Sequence, residues 1–411
     1  MRSLFPLIHA SWLCGTIRMP LSFGRLGSRI HCLNNKKSTA LRSHSTVRSK
    51  TPKQVSMGSV PDTKANVLLV GSGGVGTMAA YALEQGGKAS VTAVLRSNYN
   101  AVNEKGFQIN SIQHGQVKGW KPSFVRNTIP KVKEEDLHYN YVVIATKNIA
   151  DIPPSMPEVI APAITPGRTN ILLLQNGLNI ERPFIKAFPT NPILSGITVI
   201  GASENPSGTI KHDNYDISYI GAFDNPGVDP ATSQAAARAF VDLYGACPAV
   251  TCTYDADVPF SRWRKLLYNA SFNTVAAVLR MDVSTMRASE HVVDDLVRPL
   301  MLEIVAAAAA AAGVVLPRAE VEKIITVDLY ASFFVPSMAQ DVLRGNFTEF
   351  ENIVGEPLRE AEARGVPVPT LRVVYGLLKG LQFRTMVAKG LVEVPGRSSP
   401  EMKYGDKNQK W

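Results

Sequence analysis

A glycine-rich run has the spacing of a phosphate-binding turn. It follows the pattern glycine-x-glycine-x-x-glycine, and its residues are Gly71, Ser72, Gly73, Gly74, Val75 and Gly76. In such a run the first glycine permits a tight turn, the second lets the backbone approach a pyrophosphate, and the third permits close packing of helix on strand. The free N–H groups and the dipole of the following helix favour an anion. The run predicts a dinucleotide site, and a chance glycine-rich turn is the alternative.

Three polar residues farther along the chain share one spacing. Lys265, Asn269 and Asn273 lie four residues apart, so on one continuous helix they would form a single stripe that drifts by about 40° at each step. A lysine and two amides directed into a pocket suit a substrate with carboxylate, carbonyl and hydroxyl oxygens. The spacing alone leaves open a polar stripe that faces solvent.

The residue that selects the dinucleotide is expected at the end of the second strand, where NAD-binding proteins place an acidic residue against the ribose. Here the sequence has Arg96-Ser97-Asn98. A guanidinium can form forked contacts with a 2′-phosphate, which a carboxylate would repel. Arg96 therefore predicts NADP(H), and the alternative is a solvated residue at a strand end.

Apolar runs indicate the elements that must position these residues. Asn66–Val70 and Ser90–Leu95 are typical of buried strands, and Val75–Gln85 between them is typical of a helix. Further strands are predicted at Tyr141–Thr146, Asn170–Leu174, Ile193–Ile200 and Ile217–Gly221. Strands separated by helix-length segments predict an α/β Rossmann domain with a doubly wound, mainly parallel sheet over residues 64–255. Residues 256–395 have helical periodicity and are predicted to form an all-α domain for substrate binding and catalysis.

Basic residues are concentrated in an N-terminal extension. The chain of 411 residues has a formal net charge of +10, but residues 1–61 hold ten of its 44 Lys and Arg and none of its 34 Asp and Glu. The remainder has 34 basic and 34 acidic residues, so its charge gives no indication of a nucleic-acid partner. An Arg-rich, acid-free start is typical of an organelle transit peptide, most simply one for the mitochondrial matrix. A disordered tail is one alternative, and a cytoplasmic protein that starts at Met57 is another.

Other kinds of site find little support in the sequence. Four cysteines, of which Cys14 and Cys32 lie in the extension, do not make a disulfide framework, and isolated histidines argue against a metal site. No stretch is long and apolar enough to predict a membrane span. Residues 396–411 are predicted to be a polar tail.

Taken together, these features resemble the ketopantoate reductase (2-dehydropantoate 2-reductase) family. The resemblance extends over roughly residues 64–392 and combines the glycine run with further motifs, which are Gln175-Asn176-Gly177, Trp263-Arg264-Lys265 with Asn269 and Asn273, Ser337-Met338 with Gln340-Asp341, and Thr348-Glu349. It implies a Rossmann domain followed by a helical domain. It also implies NADPH-dependent reduction of 2-dehydropantoate to (R)-pantoate, a step toward coenzyme A.

The resemblance implies roles for single residues as well. Lys265 would act as general acid on the substrate carbonyl oxygen, and Glu349 would hold Lys265 or the substrate hydroxyl in place. Lys147 would lie near the cofactor phosphates or the nicotinamide, and Asn176 would bridge cofactor and substrate. The residues implied to bind the other substrate oxygens are Ser337, Asn269 and Asn273.

One departure from the family bears on the substrate. Residues 196–202 read Gly-Ile-Thr-Val-Ile-Gly-Ala, where the family often has a more polar segment rich in threonine. A related NADPH-dependent reductase of another 2-oxo acid therefore stays open, as does a non-catalytic, NADP-binding regulatory protein. A homodimer is one option for the assembly.

Overall fold

A computed structural model describes residues 64–395 of the chain; the predicted transit peptide and the predicted polar tail lie outside the described residues. The strands are β1 (Ala65–Val70), β2 (Ala89–Val94), β3 (Phe107–Ser111), β4 (Gly115–Trp120), β5 (Phe124–Arg126), β6 (Tyr141–Ile144), β7 (Asn170–Leu173), β8 (Ile193–Glu204), β9 (Thr209–Ala222) and β10 (Thr251–Tyr254). The helices are α1 (Gly74–Gln85), α2 (Tyr99–Lys105), α3 (Met156–Ile160), α4 (Arg182–Ala187), α5 (Pro230–Tyr244), α6 (Val258–Asn269), α7 (Phe272–Leu279), α8 (Val283–Ala288), α9 (Arg298–Ala312), α10 (Arg318–Ile325), α11 (Ser337–Leu343), α12 (Glu356–Glu362) and α13 (Pro369–Ala388). Short π-helical turns precede α9 at Val293–Val297 and α12 at Glu351–Gly355.

All of the strands join one sheet, in the order β4-β3-β9-β8-β7-β6-β1-β2-β5, with β10 also pairing with β9. The run from β8 to β5 is parallel, whereas the β8–β9 and β3–β4 pairs are antiparallel. After β2 and β5 on one side of β1, the chain crosses to β6 on its other side. A Rossmann sheet binds its ligand at such a switch point, beside the carboxyl ends of the strands.

Helices cover both faces of the sheet, which explains why its central strands are apolar throughout. On one face, Met78 and Leu83 of α1 pack against β1 and β2, and Phe240 of α5 contacts the ring of Tyr141 in β6. On the other face, Ile160 of α3 and Phe184 of α4 pack against β6 and β7. From Val258 to Ala388 the chain forms helices and turns, and these belong to one compact unit with the sheet.

The predicted fold class, a mainly parallel Rossmann sheet followed by a helical region, is confirmed. Two details differ from the prediction. The sequence did not predict the short strands β3, β4, β5 and β10, and it gave two short segments where β8 and β9 form a long antiparallel ribbon. The limits proposed for the two domains stay a prediction. Among residues 64–395, no helix has the length and hydropathy needed to cross a membrane.

Candidate active site

The glycine run forms the turn between β1 and α1. Gly71 has a φ of +101°, and a Cβ on it would lie 2.6 Å from the backbone nitrogen of Thr146. A Cβ on Gly76 would lie 1.8 Å from the carbonyl oxygen of Gly71. A Cβ on Gly73, by contrast, would meet nothing within 4 Å. The outer two glycines are therefore required by packing, while Gly73 leaves the approach to the helix open for a ligand.

The start of α1 has polar groups that suit an anionic ligand. The helix begins at Gly74 and Val75 with no side-chain cap and no acidic residue in its first turn, so the first N–H groups are open to a ligand. The Oγ of Ser72 is buried and has no hydrogen-bond partner among the described residues. An orphaned buried hydroxyl is costly unless something binds it. The loop therefore fits the phosphates of a dinucleotide.

Arg96 lies just beyond β2 with an exposed side chain, next to a segment that is tied to the glycine run. The Nδ2 of Asn98 donates hydrogen bonds to the carbonyl oxygen of Ser72 at 2.8 Å and to the Oε1 of Glu204 at 2.9 Å. Glu204 also accepts a bond from the amide of Gly208 at 2.8 Å. Asn98 thus fixes the backbone that presents Arg96, a role that the sequence did not reveal.

Lys147, at the end of β6, contacts two carboxylates of the helical region. Its Nζ lies 2.9 Å from the Oδ2 of Asp341 and 3.4 Å from the Oε2 of Glu349. Burial would lower the pKa of Lys147, but these carboxylates outweigh burial and raise it. Glu349 also accepts a hydrogen bond from the backbone N–H of Asn148 at 3.0 Å. In this structure Glu349 therefore pairs with Lys147, and no feature of the sequence predicted the contact between Lys147 and Asp341.

Lys265 lies on α6 and donates a hydrogen bond from its Nζ to the carbonyl oxygen of Thr198 in β8, at 2.9 Å. Burial and, to a smaller extent, the positive charge of Arg262 lower the pKa of Lys265 to about 7, against the opposing effect of the Glu349 carboxylate. Lys265 also lines a small cavity at the junction of sheet and helices. The other residues that line this cavity are Gly177, Ile197, Arg262, Leu266 and Asn269.

Asn273 is separated from the other two polar residues of the predicted stripe by a break in the helix. α6 ends at Asn269 and α7 begins at Phe272, so the prediction of one continuous helix is wrong. At the break, the hydroxyl of Ser271 bonds back to the carbonyl oxygen of Leu267, which is how serine competes with helical hydrogen bonding. Lys265 and Asn269 share one cavity, whereas Asn273 is not among its lining residues.

Asn273 instead contacts the start of α11. Its Nδ2 donates to the Oγ of Ser337 at 3.2 Å, and its Oδ1 accepts a bond from the backbone N–H of Met338 at 2.8 Å. The side chain of Asn273 is 2% exposed. It therefore holds Ser337 in place, and Ser337 is the more accessible of the pair.

Asn176 is half-buried in the turn that follows β7. Gly177 beside it has a φ of +104°, and a Cβ there would lie 2.6 Å from the Cβ of Asn352. Asn352, in the π-helical turn before α12, also accepts a hydrogen bond from the Nδ2 of Asn148 at 3.0 Å. Asn352 thus links the turns after β6 and β7, and no sequence motif identified it because its role depends on the tertiary approach of the two regions.

The arrangement joins the carboxyl ends of β6 and β7 and the middle of β8 to the helical region. A lysine whose pKa lies near 7, next to an amide side chain in a cavity, can exchange a proton with a bound carbonyl or hydroxyl group. The glycine turn and Arg96 offer phosphate-binding groups at the ends of β1 and β2. Among residues 64–395, no group of three or more His, Cys, Asp or Glu is placed to hold a metal ion.

Comparison with known proteins shows which family the chain matches. The family model described as Ketopantoate reductase PanE/ApbA matches residues 67–225, and the model of its C-terminal region matches residues 257–382. The chain is 34% identical over 351 residues to an uncharacterized protein of Saccharomyces cerevisiae. The matched region covers 80% of this chain and 97% of that protein.

Solved structures have the same fold. The 2-dehydropantoate 2-reductase from Methylococcus capsulatus has a TM-score of 0.64 at 29% identity, over 78% of this chain and 97% of that one. D-mandelate dehydrogenase, in a ternary structure with NADH and anilino(oxo)acetate, has a TM-score of 0.67 at 19% identity, over 78% and 99% of the two chains. Because the two family models together match most of its length, the chain belongs to the ketopantoate reductase family.

Proposed function

We propose that this protein is an NADPH-dependent reductase of a 2-oxo acid, with 2-dehydropantoate as the first candidate substrate and (R)-pantoate as its product. The observation that carries the proposal is Lys265, a largely buried lysine whose pKa is lowered to about 7 and which lines a cavity together with Asn269. Such a lysine can give up a proton at neutral pH, and its charge stabilises a developing alkoxide. Membership of the ketopantoate reductase family supports the same reaction type.

The cofactor would bind across the ends of β1 and β2. Ser72, Gly73 and the first turn of α1 would hold the pyrophosphate, and Arg96 would contact the 2′-phosphate. A bound NADPH supplies the hydride for the carbonyl carbon. The N–H groups of Gly74 and Val75 have no acidic neighbour in the first turn of the helix, which favours this anion.

The residues of the chain would supply the proton and orient the substrate. The hydrogen bond to Thr198 holds the Nζ of Lys265 in the cavity, from which it passes its proton to the carbonyl oxygen and regains one from solvent. Asn269, in the same cavity, would bind a substrate oxygen, and Ser337 would bind the carboxylate. Asn176 would lie between cofactor and substrate.

A second substrate class has one specific observation in its favour. Ile197 lines the cavity beside Lys265, within the segment that is less polar than is usual in the family. An apolar wall at this position favours a 2-oxo acid with an apolar side chain. D-mandelate dehydrogenase, solved with NADH and anilino(oxo)acetate, has the same fold.

The decisive experiment is a substrate panel. Purified full-length protein with NADPH is mixed with 2-dehydropantoate, and with aliphatic and aromatic 2-oxo acids, while the absorbance of reduced nicotinamide is followed. Oxidation with 2-dehydropantoate supports the first candidate, and turnover of another acid alone supports the second. NADPH binding without turnover of any acid would contradict a reductase and leave a non-catalytic dinucleotide-binding protein.

We also propose that residues 1–61 direct the protein to the mitochondrial matrix. The support is the ten basic and no acidic residues of this segment. Translation from Met57 would instead give a cytoplasmic protein.

A further inference from the structure

A buried arginine on α6 makes contacts that the proposed chemistry does not use. Arg262 is 4% exposed and lies three residues before Lys265. Its Nε donates to the Oγ of Ser195 at 3.0 Å, and its Nη1 donates to the carbonyl oxygens of Gln175 at 2.9 Å and Gly177 at 3.1 Å. Within residues 64–395, no carboxylate forms an ion pair with it. Burying a guanidinium without a paired carboxylate is costly, and an apolar side chain would avoid that cost if packing were its only role.

The two carbonyl groups that bind Nη1 lie on either side of Asn176. One nitrogen therefore fixes the peptide groups before and after this residue. From the opposite side, the backbone N–H of Leu178 donates to the carbonyl oxygen of Asn352 at 2.7 Å, and the Nδ2 of Asn352 donates to the carbonyl oxygen of Leu178 at 2.9 Å. The turn that carries Asn176 is thus held between two residues of the helical region.

Arg262 also acts on Lys265 through its charge. Residues three apart on a helix share one face, and both side chains line the same cavity. Burial lowers the pKa of Arg262 to about 10, and Glu181 and Asp255 oppose that shift, so the guanidinium stays charged at neutral pH. The charged groups that act on Lys265 are Arg262 from α6 and Glu349 from the segment after α11, while β8 contributes the carbonyl of Thr198.

We propose that Arg262 is a positioning residue for the reduction: it holds the turn that carries Asn176, and as a fixed cation beside Lys265 it favours release of the lysine proton. The inference rests on the proposed function, because it assigns Arg262 a part in the action of Lys265 and Asn176. The proposal has two parts. In the first, called the clamp, the forked guanidinium holds the turn that carries Asn176. In the second, the charge effect, any cation at this position would act on Lys265.

Two variants separate these parts. Arg262→Lys keeps the charge and loses the fork, whereas Arg262→Gln loses the charge and keeps one NH2 group as donor. If the glutamine variant does not fold, Arg262→Met is used as the uncharged variant. The matched control is Arg264→Met, which removes a neighbouring buried arginine on the same helix that is paired with Glu320 at 2.7 Å. A purely structural role for Arg262 would make its variants behave like this control.

The charge effect is measured without turnover, by titrating the Nζ signals of ¹⁵N-lysine-labelled full-length protein by NMR. The signal that Lys265→Met removes belongs to Lys265. Its titration midpoint should rise by roughly one pH unit in Arg262→Gln, and should stay at the wild-type value in Arg262→Lys and Arg264→Met. A midpoint that does not move in Arg262→Gln overturns the charge effect.

The clamp is measured by a double-mutant cycle with Asn176→Ala, using the best 2-oxo acid of the panel. Arg262→Lys should lower kcat by roughly tenfold in the wild-type background, with little further loss when Asn176 is already alanine. If the fold-losses in kcat of the two single variants multiply in the double variant, the clamp is overturned. A wild-type protein without turnover would contradict the proposed function, whereas an unshifted titration in an active protein would contradict this inference alone.

Discussion

Reduction should slow as the pH rises through about 7, because that is where Lys265 loses its proton. The pKa of Lys265 is lowered to about 7 by burial and by Arg262, against the opposing effect of Glu349. With that pKa, roughly nine tenths of the lysine is protonated at pH 6 and roughly one tenth at pH 8. The rate of the proton-requiring step should therefore fall about tenfold over these two units. A lysine with an ordinary pKa would give a flat profile over the same range.

The assay must report the chemical step, since product release limits turnover in many enzymes. Single-turnover oxidation of enzyme-bound NADPH is followed from about pH 6 to about pH 9, with the best 2-oxo acid well below saturation, so that the profile reports the pKa of Lys265 before the acid binds. The reverse reaction needs the unprotonated lysine, so oxidation of the 2-hydroxy acid should rise across the window in which reduction falls. The opposite slopes distinguish titration of Lys265 from a general loss of active protein.

Lys265→Ala is the control for this profile. It should lower the single-turnover rate by roughly 10²–10⁴-fold, the usual effect of losing a general acid, and remove the limb near pH 7, while NADPH still binds. A wild-type rate that is constant between about pH 6 and pH 8 would show that Lys265 is not the titrating donor. Unchanged turnover in Lys265→Ala would exclude it from the reaction altogether.

Four further outcomes are expected. Lys265→Met should raise the free energy of unfolding at pH 7 by up to about 4 kcal/mol, measured by urea denaturation. Between about pH 7 and pH 10.5 the Lys265 side chain is protonated in the unfolded chain but largely unprotonated in the folded protein, which destabilises the wild-type fold. Glu349→Gln should move the pH limb of reduction downward, since its carboxylate raises the pKa of Lys265; an upward shift would contradict the assignment. Arg96→Asp should weaken NADPH relative to NADH by roughly tenfold or more in KM, and an unchanged ratio would mean that other residues hold the 2′-phosphate. Residues 1–61 fused to a fluorescent protein should enter mitochondria, and diffuse cytosolic fluorescence would contradict a transit peptide.

The sequence predicts the central strands because they are buried on both faces. β1, β6 and β7 are covered by helices on each side, so every position favours an apolar residue and the run is conspicuous. The ribbon of β8 and β9 is different. Its outer half is partly exposed and carries polar residues such as Lys211 and Asn214, so the apolar runs that begin at Ile193 and Ile217 indicate only its inner half. Pairing along its length is set by the tertiary structure.

The sequence also predicts most residues of the candidate site but not their contacts. Spacing alone suggested one polar stripe, whereas the break at Ser271 leaves Lys265 and Asn269 in one place and turns Asn273 toward α11. Arg262 directly precedes the motif Trp263-Arg264-Lys265, but the sequence does not distinguish an arginine that faces solvent from one that is buried. Its hydrogen bonds to the turn after β7 form only because that turn packs against α6 in the folded protein.

The pKa of Lys265 is thus a property of the fold, balanced by a cation on its own helix and a carboxylate that follows α11. At neutral pH such a lysine is about half protonated, and reduction needs the protonated form. A 2-oxo acid brings a carboxylate into the site, and a negative charge near the Nζ raises the pKa and favours protonation. A neutral ketone brings no such charge. The same balance that lets Lys265 release its proton would therefore make the substrate carboxylate part of the mechanism, which is a physical reason for this site to select acids over ketones.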